Sequence, residues 1–326
     1  MMDIRQIMLM TAMALASAIA LATPPMNPLS AQQKTVVILG TATAGGGFPL
    51  YGAAVADTVN ELDPSLEVKP RNTKGSTENI PLLEAGKLDL GLVAGELAYE
   101  AFAGIGRPKT DLKILAAMYA TPGMFVARAD SPDRTIRDLV GKSVAFGARG
   151  SGLVILARYV LDGLGLDPDK DFAAVYLDHA GDGPAMVLDG RVAALWGGGI
   201  GWPGFAAVAR SPGGARFIAP DTEEAAAIRA KHPFLKSLTV PAGSYPGQTA
   251  PITSLGSWSF ILARASLDDD VAWRLARALH SGEEVLARKL PQARETTATN
   301  TAAAAPSLDL IHPAVLRYLR ELGVVK

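Results

Sequence analysis

The chain has 326 residues, 49% of them apolar, no cysteine and a formal net charge of −1. That length fits about two domains and that apolar share supports a substantial core, while near-neutral charge offers none of the basic surface that nucleic acid requires. Without cysteine there is no disulfide framework, no thiol chemistry and no lipid anchor through an N-terminal thiol.

Residues 1–31 read as a secretory signal peptide. Arg5 supplies the positive end and Ile7 to Ala22 the apolar stretch, which is short for a membrane span. Cleavage fits after Ala31, with Ala22 as the competing position; an uncleaved anchor is the alternative. No later stretch is long and apolar enough to span a bilayer, so the processed chain is expected to be soluble.

From there the elements alternate. The run Thr35-Val-Val-Ile38 reads as a buried strand. A glycine loop follows, Gly40-Thr-Ala-Thr-Ala-Gly-Gly-Gly47, and Pro49 fits a first helical position. Val55, Val59 and Leu62 share one helix face, and Leu66-Glu-Val68 reads as a second strand. The turn Gly75-Ser-Thr77 opens a helix, with Ser76 or Thr77 as its N-cap and Gly86 as its stop. Leu88 to Val93 is the next strand.

The same order then recurs. Lys142 to Phe146 reads as a strand, Gly147 to Gly152 as a loop, and Leu153 to Leu164 as a helix. Val175 to Leu177 is a strand, Asp182 to Leu188 a helix, and Val192 to Trp196 a strand. Leu83 to Leu90 and Leu188 to Leu195 match as helix end, glycine stop, basic residue and apolar strand. Repetition in this order predicts two lobes of like α/β build. In the last third, Trp258 to Ala263 is a strand and Val271 to Leu290 one long amphipathic helix. Residues 296–305 are a loop or weak helix, and Pro313 to Leu322 a final helix. Two crossings between lobes are expected near Met118–Val126 and Ser254–Arg264.

Three glycine-rich turns therefore open helices, at 40–47, 74–79 and 149–152. Amides at a helix start are unpaired and sit at the positive end of the dipole, so three such starts aimed at one point would hold a small carboxylate. The first turn also fits a dinucleotide fingerprint through Gly40, Ala42 and Gly45, but the acidic residue at the right distance, Glu61, falls at a helix end. A turn without a ligand is the third reading. His179, His232, His280 and His312 lack metal spacing, and Ser151 lacks the glycine of a nucleophile elbow. Ser151 reads as an N-cap or a hydroxyl donor, and His312 as structural. Phe48, Tyr51, Tyr99, Trp202 and Tyr245 are pocket walls or core fillers.

Further motifs complete a pattern: Phe48-Pro-Leu-Tyr-Gly52, Thr73-Lys-Gly-Ser-Thr-Glu-Asn79, Gly86-Lys-Leu-Asp-Leu-Gly-Leu92, Ser151-Gly152, Tyr245-Pro-Gly-Gln248 and His312-Pro-Ala-Val-Leu-Arg-Tyr318. Over about residues 35 to 325 the chain resembles the TAXI-type solute receptors of TRAP transporters. The resemblance implies an α/β, two-lobed type II periplasmic-binding-protein fold with a central cleft and two hinge crossings. Lobe 1 would comprise 32–122 plus 256–326, and lobe 2 123–255. It implies a monomeric periplasmic receptor without cofactor, metal or catalysis. Its ligand would be a small carboxylate or amino acid such as glutamate or a dicarboxylate, and its partner a membrane permease. By position, the ligand contacts would be Thr41, Gly47, Phe48, Ser76, Asn79, Ser151, Tyr245 and Gln248. The chain departs from the pattern at Lys74, Arg149 and Glu96, which stand where glycine, a small residue or proline, and aspartate are usual. Lys74 and Arg149 either raise the negative charge that the ligand must carry, as a dicarboxylate would, or are solvated loop cations. A nucleotide-binding α/β enzyme and a sensor subunit for a membrane kinase are the alternatives.

Overall fold

A computed structural model describes residues 34–326. The expected signal peptide and both cleavage positions lie outside the described residues. Within them no helix is long and apolar enough to cross a membrane.

The first half of the fold runs β1 (Thr35–Gly40), α1 (Gly47–Leu62), β2 (Leu66–Arg71), α2 (Ser76–Glu84), β3 (Leu90–Val93), α3 (Gly95–Ala103) and β4 (Lys113–Arg128). The second runs β5 (Ser143–Ala148), α4 (Gly152–Gly163), α5 (Pro168–Asp171), β6 (Ala173–Leu177), α6 (Gly183–Leu188), β7 (Ala194–Gly198), α7 (Pro203–Ala209), β8 (Ala215–Ile218), α8 (Thr222–Lys231), β9 (Lys236–Val240) and β10 (Ile252–Ala263). Four helices end the chain: α9 (Asp269–Ser281), α10 (Glu283–Lys289), α11 (Ala298–Ala304) and α12 (Pro313–Glu321).

All ten strands belong to one sheet of order β2-β1-β3-β10-β4-β7-β5-β6, with β8 beside β4 and β9 beside β10. The internal repeat is visible in it. β1 lies between β2 and β3, and β5 between β6 and β7, all parallel. Each triplet is then closed by a long antiparallel strand, β10 against β3 and β4 against β7. The two long strands pair with each other from Ala263↔Lys113 to Leu255↔Gly123. Beyond Gly123, β4 changes partners to β7 and β8. Beyond Leu255, β10 pairs with β9 alone.

Helices cover both faces of the second half, which explains its near-continuous apolar strands. Alternation is still present in where each side chain goes. Phe125, Val144, Phe146 and Trp196 enter one core cluster; Met124, Val126, Ala145 and Leu195 enter the other. The first half packs β1, β3, α1 and the C-terminal helices around a single larger cluster.

Several local expectations are corrected. The stretch Val271 to Leu290 is two helices, because Gly282 ends α9 and opens α10 where the chain packs against Thr58 and Leu62 of α1. Of the two readings left open for 296–305, the helix holds over 298–304: Thr297 caps the start by accepting from the Asn300 amide, and alanine is the strongest helix former. The N-cap of α2 is Gly75, not Ser76 or Thr77, and no side chain caps that end. Helix α1 begins at Gly47, so Pro49 is its third residue, still within the turn where a missing N–H costs no bond.

Candidate functional site

Four helix starts open on one cleft. They are α1 at Gly46–Phe48, α2 at Gly75–Ser76, α3 at Ala94 and Glu96, and α4 at Ser151–Gly152. The three turns singled out in the sequence thus share a cavity, and α3 adds a start that follows β3 with no glycine run to announce it. The long strands contribute Tyr119, Thr121 and Ser259, and Ala180, Gly198 and Trp202 add wall from the second half. The cavity measures about 60 Å³. In this conformation that leaves room for a small solute and not for a dinucleotide.

Local chemistry leaves donors free. No side chain caps α1, α2 or α3. The Ser151 hydroxyl caps α4 by accepting from the Leu153 amide at 3.2 Å. Orphan first-turn amides facing an enclosed space favour an anion there.

The two halves meet on either side of the cleft. The Thr77 hydroxyl donates to the Gly150 carbonyl at 2.9 Å, and the Thr77 amide to the same oxygen at 3.3 Å. Gly45 lies so close to Gly181 that a Cβ on it would stand 2.5 Å from the Gly181 Cα. Gly152 likewise leaves no room beside Ala94, where the corresponding distance would be 2.2 Å. The two halves are thus in contact on both sides of the cleft.

The residues expected at the site divide into two groups. Gly47, Phe48, Lys74, Ser76 and Ser151 line the cleft. The Ser76 hydroxyl also accepts from the Ala94 amide at 3.0 Å, tying α2 to α3. Thr41, Asn79, Tyr245, Gln248 and Arg149 are outside the lining. The Asn79 amide group donates to the carbonyls of Thr41 and Leu92, both at 2.8 Å, while its oxygen accepts from the Thr73 hydroxyl. Thr41 is buried and donates to the Arg71 carbonyl. The Tyr245 hydroxyl donates to the Gly199 carbonyl and accepts from the Trp202 amide, so it holds the loop that carries Trp202. Gln248 donates to the carbonyls of Pro241 and Ala250 and accepts from the Tyr245 amide. Arg149 is exposed and lies over the Tyr176 ring at 5.3 Å. Glu61 pairs with Lys289 at 2.8 Å, away from the first glycine turn.

Sequence reasoning missed Tyr119, Thr121 and Ser259 as wall, and noted Glu96 only as a departure from a pattern. The signal for Thr121 and Ser259 was a hydroxyl inside a long, largely buried strand, and for Glu96 an acid in the first turn of a mostly buried helix. Glu96 is 1% exposed, and its Oε1 accepts from the Ser257 hydroxyl at 2.6 Å. Burial pushes its carboxyl up to about 7, against the Ser257 bond and with help from nearby Glu100. Burial also raises the Tyr119 hydroxyl, so it stays protonated. Lys74 and Glu96 are the charged side chains in the lining.

The histidines lie elsewhere. His280 is buried in the first half, where burial pushes it down to about 4, and His312 caps α12 through the Ala314 amide. Among the described residues no group of His, Asp and Glu could hold a metal ion.

The profile of the NMT1-like family matches residues 39–323. Solved structures share the fold at low identity. The periplasmic binding protein BugD aligns with 15% identity over 90% of this chain and 98% of its own, with a TM-score of 0.56. A protein of Bordetella bronchiseptica RB50 aligns with 14% identity over 90% and 82%, with a TM-score of 0.52. The fold is that of the two-lobed α/β periplasmic binding proteins.

Proposed function

This chain belongs to the NMT1-like family, and on that premise we propose that it is a periplasmic solute receptor. It captures a small carboxylate-bearing guest between two lobes and delivers it to a membrane permease of the TRAP (TAXI) type. One observation carries the reading: helix starts from both halves, the three of the first half without a side-chain cap, converge on a single small, enclosed cavity. Such a cavity grips an anion with main-chain donors, needs no cofactor and performs no chemistry.

Lobe 1 is 32–122 plus 256–326 and lobe 2 is 123–255. The division is supported by the partner exchange of β4 at Gly123 and of β10 at Leu255. The guest meets Gly47, Phe48, Lys74, Ser76 and Ser151, while Thr41, Asn79, Tyr245 and Gln248 hold the loops that present them. Arg149 is a solvated loop cation. The bound form is the closed one, secured across the mouth by Thr77 and Gly150. The guest shifts the population toward it, and the permease reads that state. The receptor works as a monomer, exported by its signal peptide.

A thermal-shift screen of small organic acids and amino acids, with NAD and ATP as controls, tests the reading. A ligand at a hundred times its dissociation constant adds about 2.7 kcal/mol, or roughly 5 °C for a chain of this size. Stabilisation by a small carboxylate is expected. Stabilisation by a nucleotide alone, or by none of the acids, overturns it. Uptake that depends on an ion gradient, and persists without ATP, would identify the TRAP type of permease.

A further inference from the structure

The cleft is not uniformly prepared for negative charge. Helices α1, α2 and α4 open on it with glycine or serine, and Lys74 stands beside the second turn. Helix α3 differs, because its second residue is an acid. Glu96 places a fully buried carboxyl in the lining, where its own helix start favours the ionised form.

That carboxyl has no counter-charge. Among the described residues, no lysine, arginine or histidine forms an ion pair with Glu96; its hydrogen-bond partner is the neutral hydroxyl of Ser257. The lining's one cation, Lys74, forms no ion pair with it, and the polar side chains that β4 and β10 add to the lining, Tyr119, Thr121 and Ser259, are neutral. The nearest acid on its own helix, Glu100, is engaged by the Tyr159 hydroxyl at 2.6 Å and adds negative potential. A buried carboxylate lacking a cation is costly unless something supplies one. In a binding cleft that something is the guest.

Resting on the receptor reading, we propose that Glu96 is a specificity-determining residue that takes the guest's cationic group. The guest is then a zwitterion. Its carboxylate sits on the amides of α1, α2 and α4, and its ammonium on Glu96. A second carboxylate at the α3 end would face Glu96 directly and be turned away. This runs against the first of the two readings of Lys74 and Arg149, a more anionic guest, since Lys74 and Glu96 are in the lining and Arg149 is not.

Matched pairs test it by calorimetry on the mature protein. L-alanine, L-glutamine and L-glutamate are each compared with the same skeleton lacking nitrogen: propionate, glutaramate and glutarate. The amino-bearing member should bind at least tenfold more tightly in at least one pair. It should also release a fraction of a proton near pH 7, seen as a buffer-dependent enthalpy, because an ammonium beside Glu96 favours its ionised form. In Glu96→Gln the ratio within the pair should fall to within about threefold. Equal affinity within every pair that binds overturns the role of Glu96 and leaves the receptor standing. So does a ratio unchanged in Glu96→Gln. Binding of none of the six, with no stabilisation by any other small carboxylate, overturns both.

Discussion

Closure can be blocked at one atom without touching the guest. Gly45 has φ +80° and faces Gly181 across the mouth of the cleft. In Gly45→Ala the new Cβ would lie 2.5 Å from the Gly181 Cα and 2.6 Å from its nitrogen, where ordinary contact begins near 3.4 Å. The backbones must part by about 1 Å, and overpacking of this kind costs about 1–3 kcal/mol. An open receptor avoids that cost, so it falls on binding, as roughly 5- to 150-fold weaker affinity. The left-handed backbone adds about 1–2 kcal/mol against folding itself. Gly190 isolates that second effect, because it has φ +81° and nothing within 4 Å of its would-be Cβ. Denaturant unfolding of the unliganded proteins should show Gly45→Ala and Gly190→Ala destabilised alike. Calorimetry with the best acid from the screen should show weaker binding in Gly45→Ala alone. If Gly45→Ala binds as tightly as Gly190→Ala, the contact with Gly181 is no part of the bound state and the reasoning fails.

Asn79→Ala should lower folding stability by about 2–4 kcal/mol, because it strands two buried carbonyls and the Thr73 hydroxyl; a change under 1 kcal/mol in urea unfolding would contradict the stapling role. Tyr245→Phe should cost about 1–3 kcal/mol by orphaning the Gly199 carbonyl and the Trp202 amide. Native-state hydrogen exchange should locate the loss at residues 199–202, and uniform loosening would count against that assignment. Glu96 should make the unliganded protein less stable as pH rises. Its carboxyl holds its proton up to about 7 when folded but ionises near 4.5 when unfolded. The cost is therefore absent below pH 4.5, grows between the two values, and reaches about 3 kcal/mol above them. Glu96→Gln should remove that slope and be the more stable variant at pH 8, and parallel pH profiles for the two proteins would refute this.

The glycine turns and the repeat were legible because each rests on local chemistry: a β-branched run, a turn residue and an apolar helix face in fixed order. The match of Leu83–Leu90 with Leu188–Leu195 reports the equivalent places of β3 and β7 in their triplets. The full lengths of β4 and β10 were hidden. Nearly every residue of β4 is buried, so no alternation of polar and apolar side chains marks it as a strand. Within the site, sequence alone cannot tell a polar side chain that meets a guest from one spent on the backbone. Ser76 and Asn79 lie three residues apart in one motif, yet the first lines the cleft and the second staples the turn after β1 to β3. Distance in space also decided Arg149, which belongs to a cleft-forming turn but leans outward onto Tyr176.

Because β4 and β10 are hydrogen-bonded neighbours where they leave one triplet for the other, the covalent bridges of this molecule form a ribbon and not two separate tethers. A ribbon flexes readily across its width and resists shear along its length, since sliding would break its ladder of amide bonds. In a receptor that closes as proposed, travel of one triplet against the other would be confined to a narrow arc. On that arc the turns at Gly45, Gly75 and Gly150 always return to the same opposite numbers, so the fold carries its own alignment guide whatever solute it meets.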